Sequence, residues 1–519
     1  MDYLDYVQMT KGQRLAYRVK SFFLGIPKAI KKFFLAIGHF FKKIFTGIGK
    51  FFKAYGSRFA KGDGATKLSY IIMGAGNMAH KQFAKGVVFL LTEIGYILFM
   101  IFFGSFYISR IYSTSYVMLS PDNKYQGAYA FGTGSIGKQV IQYKDDGIFG
   151  KSLNTDAPYD DSNKILLFFV LTMLVTIAFL AVYIANTKSA YASQLTIKSG
   201  KKPESFGTEL KSFLDERFHI TLLALPVLLL IMFTILPIIF TVFMSLTNYD
   251  KNHSPDTVMY QWVGFKNFAD VFYQNPKQSA TFGKVLLWTL VWAFFATFTN
   301  YILGIVVALL INKKGIKFKA FWRTMLVVTA AVPQFVTLNI MRLMLDDHGA
   351  FNEMLTGIGL PSIKFLTDPN IARVTVIVVN MWVGIPYTML ISSGLLMNIP
   401  EDLYESARID GANAFQQFTK ITFPYIFFVT TPYLITTFVG NINNFNVIYF
   451  LTGAGDAAEG YYKATQTDLL VTWLYKLTAV ESEYNLSAVI GILVFIICAV
   501  GSLITFNMSK ASKNEEEFS

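Results

Sequence analysis

The sequence predicts an all-α polytopic membrane protein with eight transmembrane helices and an amphipathic interfacial helix near its N-terminus. Three observations predict this class. Of the 519 residues, 53% are hydrophobic and 15% are charged, which is too apolar a composition for a soluble domain. Runs near or above the roughly 20 apolar residues that span a bilayer recur along the chain. The first 85 residues contain no such run and carry most of the positive charge. The eight predicted spans lie at residues 86–108, 164–186, 219–245, 283–311, 320–344, 371–397, 424–450 and 486–507.

The charge distribution predicts how these spans are oriented. Residues 1–85 contain sixteen Lys and Arg but only three Asp, and this excess equals the net charge of +13 of the whole chain. Under the positive-inside rule this basic segment faces the cytoplasm. Eight spans then return the tail, residues 509–519, to the same side. The basic loops 187–218 and 312–319 fall inside and the acidic loop 346–370 falls outside, as expected of a multi-pass plasma-membrane protein. We predict no cleaved signal peptide.

Residues 22–54 contain three copies of an eleven-residue repeat. Eleven residues complete close to three helical turns, so equivalent positions stay on one face of a helix. The lysines gather on the opposite face, which favours a helix that lies in the membrane interface against lipid. Docking on a partner subunit is the alternative, and the density of phenylalanine argues against nucleic acid. The predicted apolar stripe is Phe23, Ile26, Ile30, Phe34, Ile37, Phe41, Phe45, Ile48 and Phe52.

The sequence offers no catalytic, metal or cofactor site. Its one cysteine, Cys498, lies in the last span and forms neither an intrachain disulfide nor a cysteine metal cluster. Residues 132–138, GTGSIGK, resemble a phosphate-binding loop, but Gln139 stands where that motif needs Ser or Thr. This segment also falls in the loop 109–163, which the predicted topology places outside the cell. We therefore expect no ATP site and no enzymatic activity.

A polar segment between two spans, Tyr404–Pro424, predicts a helix–turn–helix on the cytoplasmic membrane face. Glu401 and Asp402 suit the first turn of a short helix, where negative charge meets the positive end of the helix dipole. Gly411 interrupts this helix, and a second amphipathic turn leads to Pro424. Such a segment either docks on a partner or is an ordinary solvated loop. Its candidate docking residues are the apolar Tyr404, Ala407 and Phe415 and the charged Glu405, Arg408 and Asp410.

Motifs in the second half of the chain resemble those of a known family. In chain order, with the Tyr404–Pro424 segment between the fourth and the fifth, they are SLTNY (Ser245–Tyr249), WVGFKNFADVF (Trp262–Phe272), FWRTMLVVTAAVPQFV (Phe321–Val336), MWVGIPYTML (Met381–Leu390), FVGNINNFNVIYFLTGAGD (Phe438–Asp456) and TDLLVTWLYKLT (Thr467–Thr478). On these motifs, residues 219–508 resemble the larger permease subunit of the maltose/maltodextrin ABC importers. The resemblance implies a six-helix permease core at 219–508, preceded by two extra transmembrane helices within 86–218. The basic segment 1–85 and the loop 109–163 have no recognised counterpart.

The resemblance also implies partners. In this family the polar cytoplasmic loop docks on an ATPase subunit and couples ATP hydrolysis to movement of the helices. The expected assembly contains a second homologous permease, two ATPase subunits and an extracellular sugar-binding protein. The loop positions that match the family pattern, together with the neighbouring Arg408, are Glu405, Ala407, Arg408, Asp410, Gly411, Ala412, Phe418, Ile421 and Pro424.

Two mid-membrane segments, Trp382–Tyr387 and Gly440–Asn444, are predicted to break helical regularity beside the substrate. Prolines and glycines loosen the helix there. The asparagines of the second segment are costly in a bilayer unless they face protein or a water-filled cavity. Amides suit sugar hydroxyls, although bonds between neighbouring helices are the alternative. The resemblance aligns sugar contacts with Val383, Gly384, Tyr387, Thr437, Gly440, Asn441 and Asn444.

One departure from the family concerns the substrate. The maltose-specific member carries an aromatic side chain where this chain has Gly440. This leaves room for a bulkier or differently linked oligosaccharide of the maltodextrin or a related class. A monosaccharide or glycerol phosphate is an alternative, although no cationic cluster favours a phosphate. An ion-coupled transporter needs an intramembrane acid, and Glu93, the one acid well inside an apolar run, lies outside the permease core.

A second departure concerns the extracellular side. Gram-negative relatives carry a large domain between the third and fourth spans, whereas residues 246–282 form a short loop here. This suggests a Gram-positive-type bacterium with a lipid-anchored binding protein, which would contact residues 109–163, 246–282 and 451–485. Pro333 and Gln334 are expected to kink the fifth span beside the pathway. Arg342, near the outer end of that span, is expected to reach the membrane interface.

Overall fold

The computed structural model describes residues 35, 38–39, 42–43, 45–112, 135–137, 143–145, 151–153, 160–253, 260–313, 315–453, 455 and 457–508. The chain divides into two compact units. One comprises residues 34–267, and the other comprises residues 268–519 with residues 1–33. Most of the predicted eleven-residue repeat and most of the loop 109–163 lie outside the described residues.

The described part of the first unit is mainly helical and contains a two-stranded hairpin. The antiparallel strands pair Tyr143 with Leu153 and Asp145 with Lys151. The hairpin lies within the loop predicted to face outside. The elements of this unit are α1 (45–61), α2 (Gly64–Leu68), α3 (Ala75–Ala79), α4 (Phe83–Arg110), β1 (Tyr143–Asp145), β2 (Lys151–Leu153), α5 (Ser162–Lys198), α6 (Phe206–Ser212) and α7 (Phe218–Ser245).

Helix α5 extends beyond the apolar run that predicted it. The run ends at residue 186, whereas the helix continues to Lys198, so the predicted loop 187–218 begins as helix. The polar extension is held by the segment before α4. Asn186 accepts a hydrogen bond from the Gly74 amide at 2.9 Å and donates to the Ser69 carbonyl at 2.9 Å. Gln194 Oε1 accepts from Thr66 Oγ1 at 2.8 Å. Side-chain bonds to backbone therefore stabilise the helix past the apolar run.

Glu93 has a structural partner inside the first unit. Its carboxylate accepts a hydrogen bond from the Met73 amide at 2.8 Å. This hydrogen bond satisfies a backbone donor next to a turn. It explains why a carboxylate lies in an apolar helix without a role in proton transfer.

The chain that follows α7 packs against α5 in the first unit. Asn163, in the first turn of α5, donates to Tyr249 Oη at 3.0 Å and accepts from Tyr260 Oη at 3.0 Å. The boundary between the two compact units follows Asn267, whereas the sequence analysis begins the permease core at residue 219.

Residues 135–137 are the described part of the motif that resembles a phosphate-binding loop. Ser135 pairs with Gln261 in an antiparallel bridge.

The described residues of the second unit form helices joined by loops, with no strand among them. A short helix (Lys266–Ala269, then Asp270–Gln274), α8, leads into it. The elements that follow are α9 (Pro276–Asn312), α10 (Lys319–Ala331), α11 (Gln334–Met344), α12 (Ala350–Gly357), α13 (Pro369–Leu396), α14 (Glu401–Ile409), α15 (Ala414–Gln417, then Phe418–Thr422), α16 (Phe423–Ile442), α17 (Asn446–Thr452), α18 (Leu470–Ala479) and α19 (Tyr484–Met508).

Seven helical stretches among the described residues are long and apolar enough to span a membrane. They match seven of the eight predicted spans. The remaining prediction, 320–344, falls on α10 and α11, which are separated at Val332 and Pro333. Proline lacks a backbone N–H and restricts the residue before it, so the helix ends where the sequence predicted a kink. The count of eight spans stays a prediction.

One of the two predicted irregular segments is wrong. Trp382–Tyr387 lies inside the continuous helix α13 although Pro386 is within it. A single proline removes one helix bond, and close packing of neighbouring helices tolerates this in membrane helices. The second segment does contain a break, at residues 443–445, between α16 and α17.

Helices α9 and α13 form the centre of the second unit. Each contributes a glycine where the other helix approaches. A Cβ on Gly304 of α9 would lie 2.5 Å from Thr388 Cβ, and a Cβ on Gly384 of α13 would lie 2.1 Å from Asn300 Nδ2. Both distances are too short for a side chain, so the two glycines permit the close approach of these helices.

The segment between α17 and α19 is fixed by buried polar contacts. Lys476 Nζ forms an ion pair with Asp468 Oδ2 at 2.9 Å, and both side chains are buried. The Asp468 carboxylate also accepts from the Thr465 amide at 2.6 Å and from Thr472 Oγ1 at 2.9 Å. The Trp288 indole of α9 donates to the Thr467 carbonyl at 3.0 Å. These bonds hold the segment rigidly against the end of α9.

Candidate functional site

Four helices of the second unit enclose a cavity of about 190 Å³. Helices α9, α13 and α16 supply its walls and the start of α11 supplies one residue. The described lining contains amides, hydroxyls and a few small or apolar groups, but no charged side chain. It consists of Thr297, Asn300, Tyr301, Gln334, Asn380, Val383, Gly384, Tyr387, Thr388, Tyr433, Leu434, Thr437 and Asn441.

The spacing of the lining residues follows from helix geometry. On α9 the lining positions are 297, 300 and 301, and on α13 they are 380, 383, 384, 387 and 388. Residues three and four apart share one face of a helix. Each wall is therefore a polar stripe on a helix whose other faces are apolar. A chain that spans a bilayer keeps such a stripe only where it faces protein or a polar cavity.

Two lining amides have atoms that are buried without a partner. Asn300 Oδ1 and Asn380 Nδ2 make no hydrogen bond within the part of the chain that the structure describes. The two residues retain 8% and 4% of their surface. An unsatisfied buried amide atom costs about 1–3 kcal/mol. Both residues belong to the cavity lining, but these two atoms have almost no exposed surface, so a ligand would reach them only after the amides turn.

Gly384 has two roles in the structure, and the sequence analysis predicted only its place beside the substrate. It lines the cavity, and it gives the Asn300 amide the space in which it lies. Asn300 therefore depends on Gly384 for its position. The neighbouring Tyr387 and Trp382 are about half exposed beside the break at Val332, where they line a smaller niche of about 20 Å³.

The three asparagines of the second predicted segment differ in their contacts. Asn441 lines the cavity, and its Nδ2 donates to Thr297 Oγ1 at 2.9 Å. Asn443 Nδ2 donates to Cys498 Sγ at 3.4 Å. Asn444 Oδ1 accepts from the amide of Val447, in the first turn of α17, at 3.2 Å. Asn441 therefore both joins helices and borders the cavity, whereas the contacts of Asn443 and Asn444 stabilise the helix break.

Five of the seven predicted sugar-binding residues line the cavity: Val383, Gly384, Tyr387, Thr437 and Asn441. Gly440 and Asn444 are not among the lining residues. A Cβ on Gly440 would meet nothing within 4 Å, so this position faces open space. The role of all seven residues in sugar binding stays a prediction. Sequence reasoning missed several lining residues although their three- and four-residue spacing in apolar spans was visible: Thr297, Asn300, Tyr301, Asn380, Thr388 and Tyr433.

Gln334 connects the two helix breaks. It begins α11 directly after Pro333, lines the cavity, and its Oε1 accepts from Asn446 Nδ2 at 3.0 Å. Asn446 begins α17 after the other break. Leu338 of α11 and Val447 of α17 belong to one buried hydrophobic core. Beyond them, Arg342 lies over the Gly453 backbone, where a Cβ would be 2.7 Å from its Nη1.

The polar segment forms the expected helix–turn–helix. Helix α14 begins after Pro400 and ends at Ile409, and Gly411 adopts a positive φ of 76° in the turn. Such a φ favours glycine. Asn413 then starts α15 with a capping box, because it and Gln416 exchange hydrogen bonds of 2.9 Å. Helix α15 runs on into α16 and is not a separate amphipathic turn that ends at Pro424.

The two arms of this segment are braced, and the turn is exposed. Tyr404 Oη lies 2.9 Å from Thr422 Oγ1 and so joins α14 to α15. Tyr404 is thus half-buried and braces the two arms, and its docking role stays a prediction. Ile409 is 87% exposed and Phe415 is 73% exposed. Sequence reasoning missed Ile409, which is the most exposed apolar residue of the segment.

The charges around this turn are available to a partner. Glu405, Arg408 and Asp410 are exposed, and within the described residues none of them belongs to an ion pair. The remaining predicted loop residues, Ala407, Ala412, Phe418 and Ile421, are half-buried between the arms. Neither this segment nor the rest of the described residues contains a cluster of three or more His, Cys, Asp or Glu that could hold a metal ion.

Comparison with known proteins gives a consistent result. Residues 300–512 match the family described as "Binding-protein-dependent transport system inner membrane component". The galactooligosaccharides transport system permease protein of Bacillus subtilis is 38% identical over 371 residues, which cover 71% of this chain and 88% of that protein. The maltodextrin transport system permease protein of the same organism is 33% identical over 458 residues, 86% of this chain and 95% of that protein. The maltose/maltodextrin transport system permease protein of Salmonella typhimurium is 37% identical over 252 residues, 47% of this chain and 48% of that protein.

Proposed function

The chain belongs to the binding-protein-dependent inner membrane components, as a carbohydrate ABC importer permease, and we propose that it carries a neutral oligosaccharide through the cavity between α9, α13 and α16. Family membership confirms the resemblance found in the motifs and the multi-pass membrane location. It also means that the chain is a permease subunit and not itself the ATPase.

The observation that carries the proposal is the chemistry of the cavity wall. Its described lining has no charge and is rich in amides and hydroxyls, among them the amides of Asn300, Asn380 and Asn441. Sugar hydroxyls both donate and accept hydrogen bonds, as amides do, so this lining suits a sugar. Exposed aromatic faces at Trp382 and Tyr387 suit the apolar faces of sugar rings. A phosphate such as glycerol phosphate would find no cation there.

The relatives support an oligosaccharide rather than a monosaccharide. One is named for galactooligosaccharides and one for maltodextrin. Gly440 faces open space where the maltose-specific member has an aromatic side chain, which leaves room for a longer or differently linked chain of sugars. An ion-coupled mechanism has no support in the cavity, and Glu93 is already bonded to the Met73 amide.

The proposed assembly contains a second homologous permease, two ABC ATPase subunits and an extracellular, lipid-anchored sugar-binding protein. Both termini lie in the cytoplasm of a Gram-positive-type cell, and the N-terminal basic segment contacts membrane lipid. The turn with Ile409 and Phe415 inserts into a cleft of an ATPase subunit, flanked by the charges of Glu405, Arg408 and Asp410. Rigid bracing of α14 on α15 supports this coupling because a braced turn transmits movement to α16.

Matched asparagine variants test the proposal. Asn380→Leu removes an amide from the cavity wall, so uptake of the oligosaccharide should fall about tenfold, as expected for the loss of one hydrogen bond, while the subunits still co-purify. Asn443→Leu is the control, because Asn443 contacts Cys498 outside the cavity lining. Equal uptake by the Asn380→Leu variant and the wild type, measured with labelled oligosaccharide in vesicles, would refute the proposed site. Equal loss in both variants would assign the effect to helix packing.

A further inference from the structure

Helix α1 has three distinct faces. Phe51, Tyr55 and Arg58 are its half-buried residues and recur at helical spacing. This is the docked face. Beside it lies an apolar stripe in which Phe45 is 70%, Ile48 45% and Phe52 64% exposed. The third face carries exposed lysines, Lys50, Lys53 and Lys61.

The docked face fixes where α1 lies along the transmembrane helices of its unit. Tyr55 Oη is 3.1 Å from Tyr183 Oη, and Tyr183 in turn donates to the Tyr70 carbonyl at 2.8 Å. Tyr183 stands three residues before the end of the apolar run 164–186, and charge resumes at Lys188. Tyrosines concentrate at this boundary between hydrocarbon and headgroups. The contact therefore holds α1 at the level of the membrane interface.

The segment on which α1 docks also exposes apolar side chains. Leu68 is 46% exposed and Ile71 is 76% exposed, both in the segment on which α1 docks. Phe83, at the start of the transmembrane helix α4, is 69% exposed. Exposed apolar side chains therefore occur on α1, on the segment on which it docks and at the start of α4.

From this arrangement we propose that α1 lies in the cytoplasmic membrane interface and binds anionic phospholipid. Phe45, Ile48 and Phe52 enter the boundary of the acyl chains, and Lys50 and Lys53 lie among the phosphate groups. An apolar strip beside a row of lysines complements an anionic lipid surface in both parts. The lipid clamps the first unit at the membrane surface. The inference rests on the chain being a membrane protein and does not depend on which sugar it transports.

Spin labels on the full-length chain test this placement. In a Cys498→Ala background, single cysteines replace Phe52 or Lys50, two exposed positions on the same helix. The protein is placed in nanodiscs of phosphatidylcholine, with or without phosphatidylglycerol. We expect the label at position 52 to be accessible to oxygen and shielded from an aqueous nickel chelate. The label at position 50 should show the reverse. Equal access of nickel to both labels would overturn the proposal, as would exclusion of both oxygen and nickel at position 52.

A second measurement tests the lipid charge. The Lys50→Gln, Lys53→Gln double variant keeps the apolar stripe. We expect its enrichment in phosphatidylglycerol over phosphatidylcholine, measured by mass spectrometry of bound lipid, to fall by about fivefold per lysine removed. A Lys317→Gln variant, whose exposed lysine lies in the loop between α9 and α10, is the control. Unchanged enrichment in the double variant would contradict binding of anionic lipid by α1.

Discussion

Replacing Gly384 by alanine should damage transport by moving one side chain. The added Cβ would lie 2.1 Å from Asn300 Nδ2, 2.7 Å from its Cγ and 3.2 Å from its Oδ1. All three atoms belong to the end of a side chain that can rotate. The Asn300 amide must retreat by about 1.3 Å to reach an ordinary contact of 3.4 Å. The helices themselves can stay in place, so the change falls on the cavity wall.

The size of the effect follows from the cost of overpacking. Forcing extra atoms into a packed site costs about 1–3 kcal/mol. If the displaced Asn300 no longer meets a sugar hydroxyl, this cost appears in binding and corresponds to roughly a 5- to 150-fold change. We therefore expect the KM for oligosaccharide uptake to rise within that range, with subunit assembly retained.

Two other glycines make this prediction specific. A Cβ on Gly394, in the same helix, meets nothing within 4 Å, so Gly394→Ala should behave as wild type. A Cβ on Gly304 meets Thr388 Cβ at 2.5 Å and the Met389 amide nitrogen at 3.1 Å, and neither atom can rotate away. Gly304→Ala should therefore lower the amount of folded protein. Labelled-sugar uptake in membrane vesicles, normalised to folded protein, measures all three. A wild-type KM for Gly384→Ala would refute the assigned role of Asn300.

Three further predictions concern other parts of the chain. Ile409→Asp should abolish co-purification of the ATPase subunit and leave the permease in the membrane, because a charge replaces the exposed apolar end of α14; pull-down in mild detergent measures this. Lys476→Met should destabilise the protein by about 3–5 kcal/mol, since the Asp468 carboxylate stays buried without its cation; thermal unfolding in detergent measures this. Alkaline pH should loosen the segment around Lys463. Burial lowers the pKa of Lys463, but its bonds to the carboxylates of Glu481 and Glu483 outweigh this and raise it above the ordinary 10.5. This contribution to stability is complete below pH 10.5 and is lost as the pH rises through the folded pKa; limited proteolysis across pH 8–12 measures it.

Each of these predictions has a control with a different expected result. Leu403→Asp lies on α14 away from the turn and should weaken ATPase recovery less than Ile409→Asp. Lys420→Met removes an exposed lysine and should leave thermal unfolding unchanged. The Lys463→Gln variant should show a smaller alkaline transition in this segment, because only the titration of Tyr462 next to Glu483 remains. A pull-down in which Ile409→Asp recovers the ATPase fully would contradict the docking surface.

Long apolar runs were the most reliable guide to the fold. Seven predicted spans coincide with helices because a bilayer demands internal hydrogen bonding over about 20 apolar residues, whatever the packing. How far a helix extends beyond its apolar run was not predictable from the sequence. The α5 extension to Lys198 depends on bonds from Asn186 and Gln194 to residues more than 100 positions earlier in the chain. Such long-range contacts leave no local pattern.

The candidate site was predictable only where the family motif covered it. Val383, Gly384 and Asn441 came from the resemblance, and all three line the cavity. Asn300 and Asn380 were not predicted. Each is a polar residue in an apolar span, and this pattern could have identified them as lining a cavity. The effect of Pro386 was misjudged, because close packing between α9 and α13 keeps the helix continuous. Exposure of Ile409 depends on where α14 ends, which the sequence does not fix to one residue.

Purification of the tagged full-length chain from its native host in mild detergent tests the central claim most directly. Mass spectrometry of the purified complex should identify one further permease and an ATPase in stoichiometric amounts. ATP hydrolysis by that complex, reconstituted in liposomes with its binding protein, should rise when oligosaccharide is added and should not rise for the Asn380→Leu variant. Recovery of the intact chain alone, transporting sugar without ATP, would contradict the account.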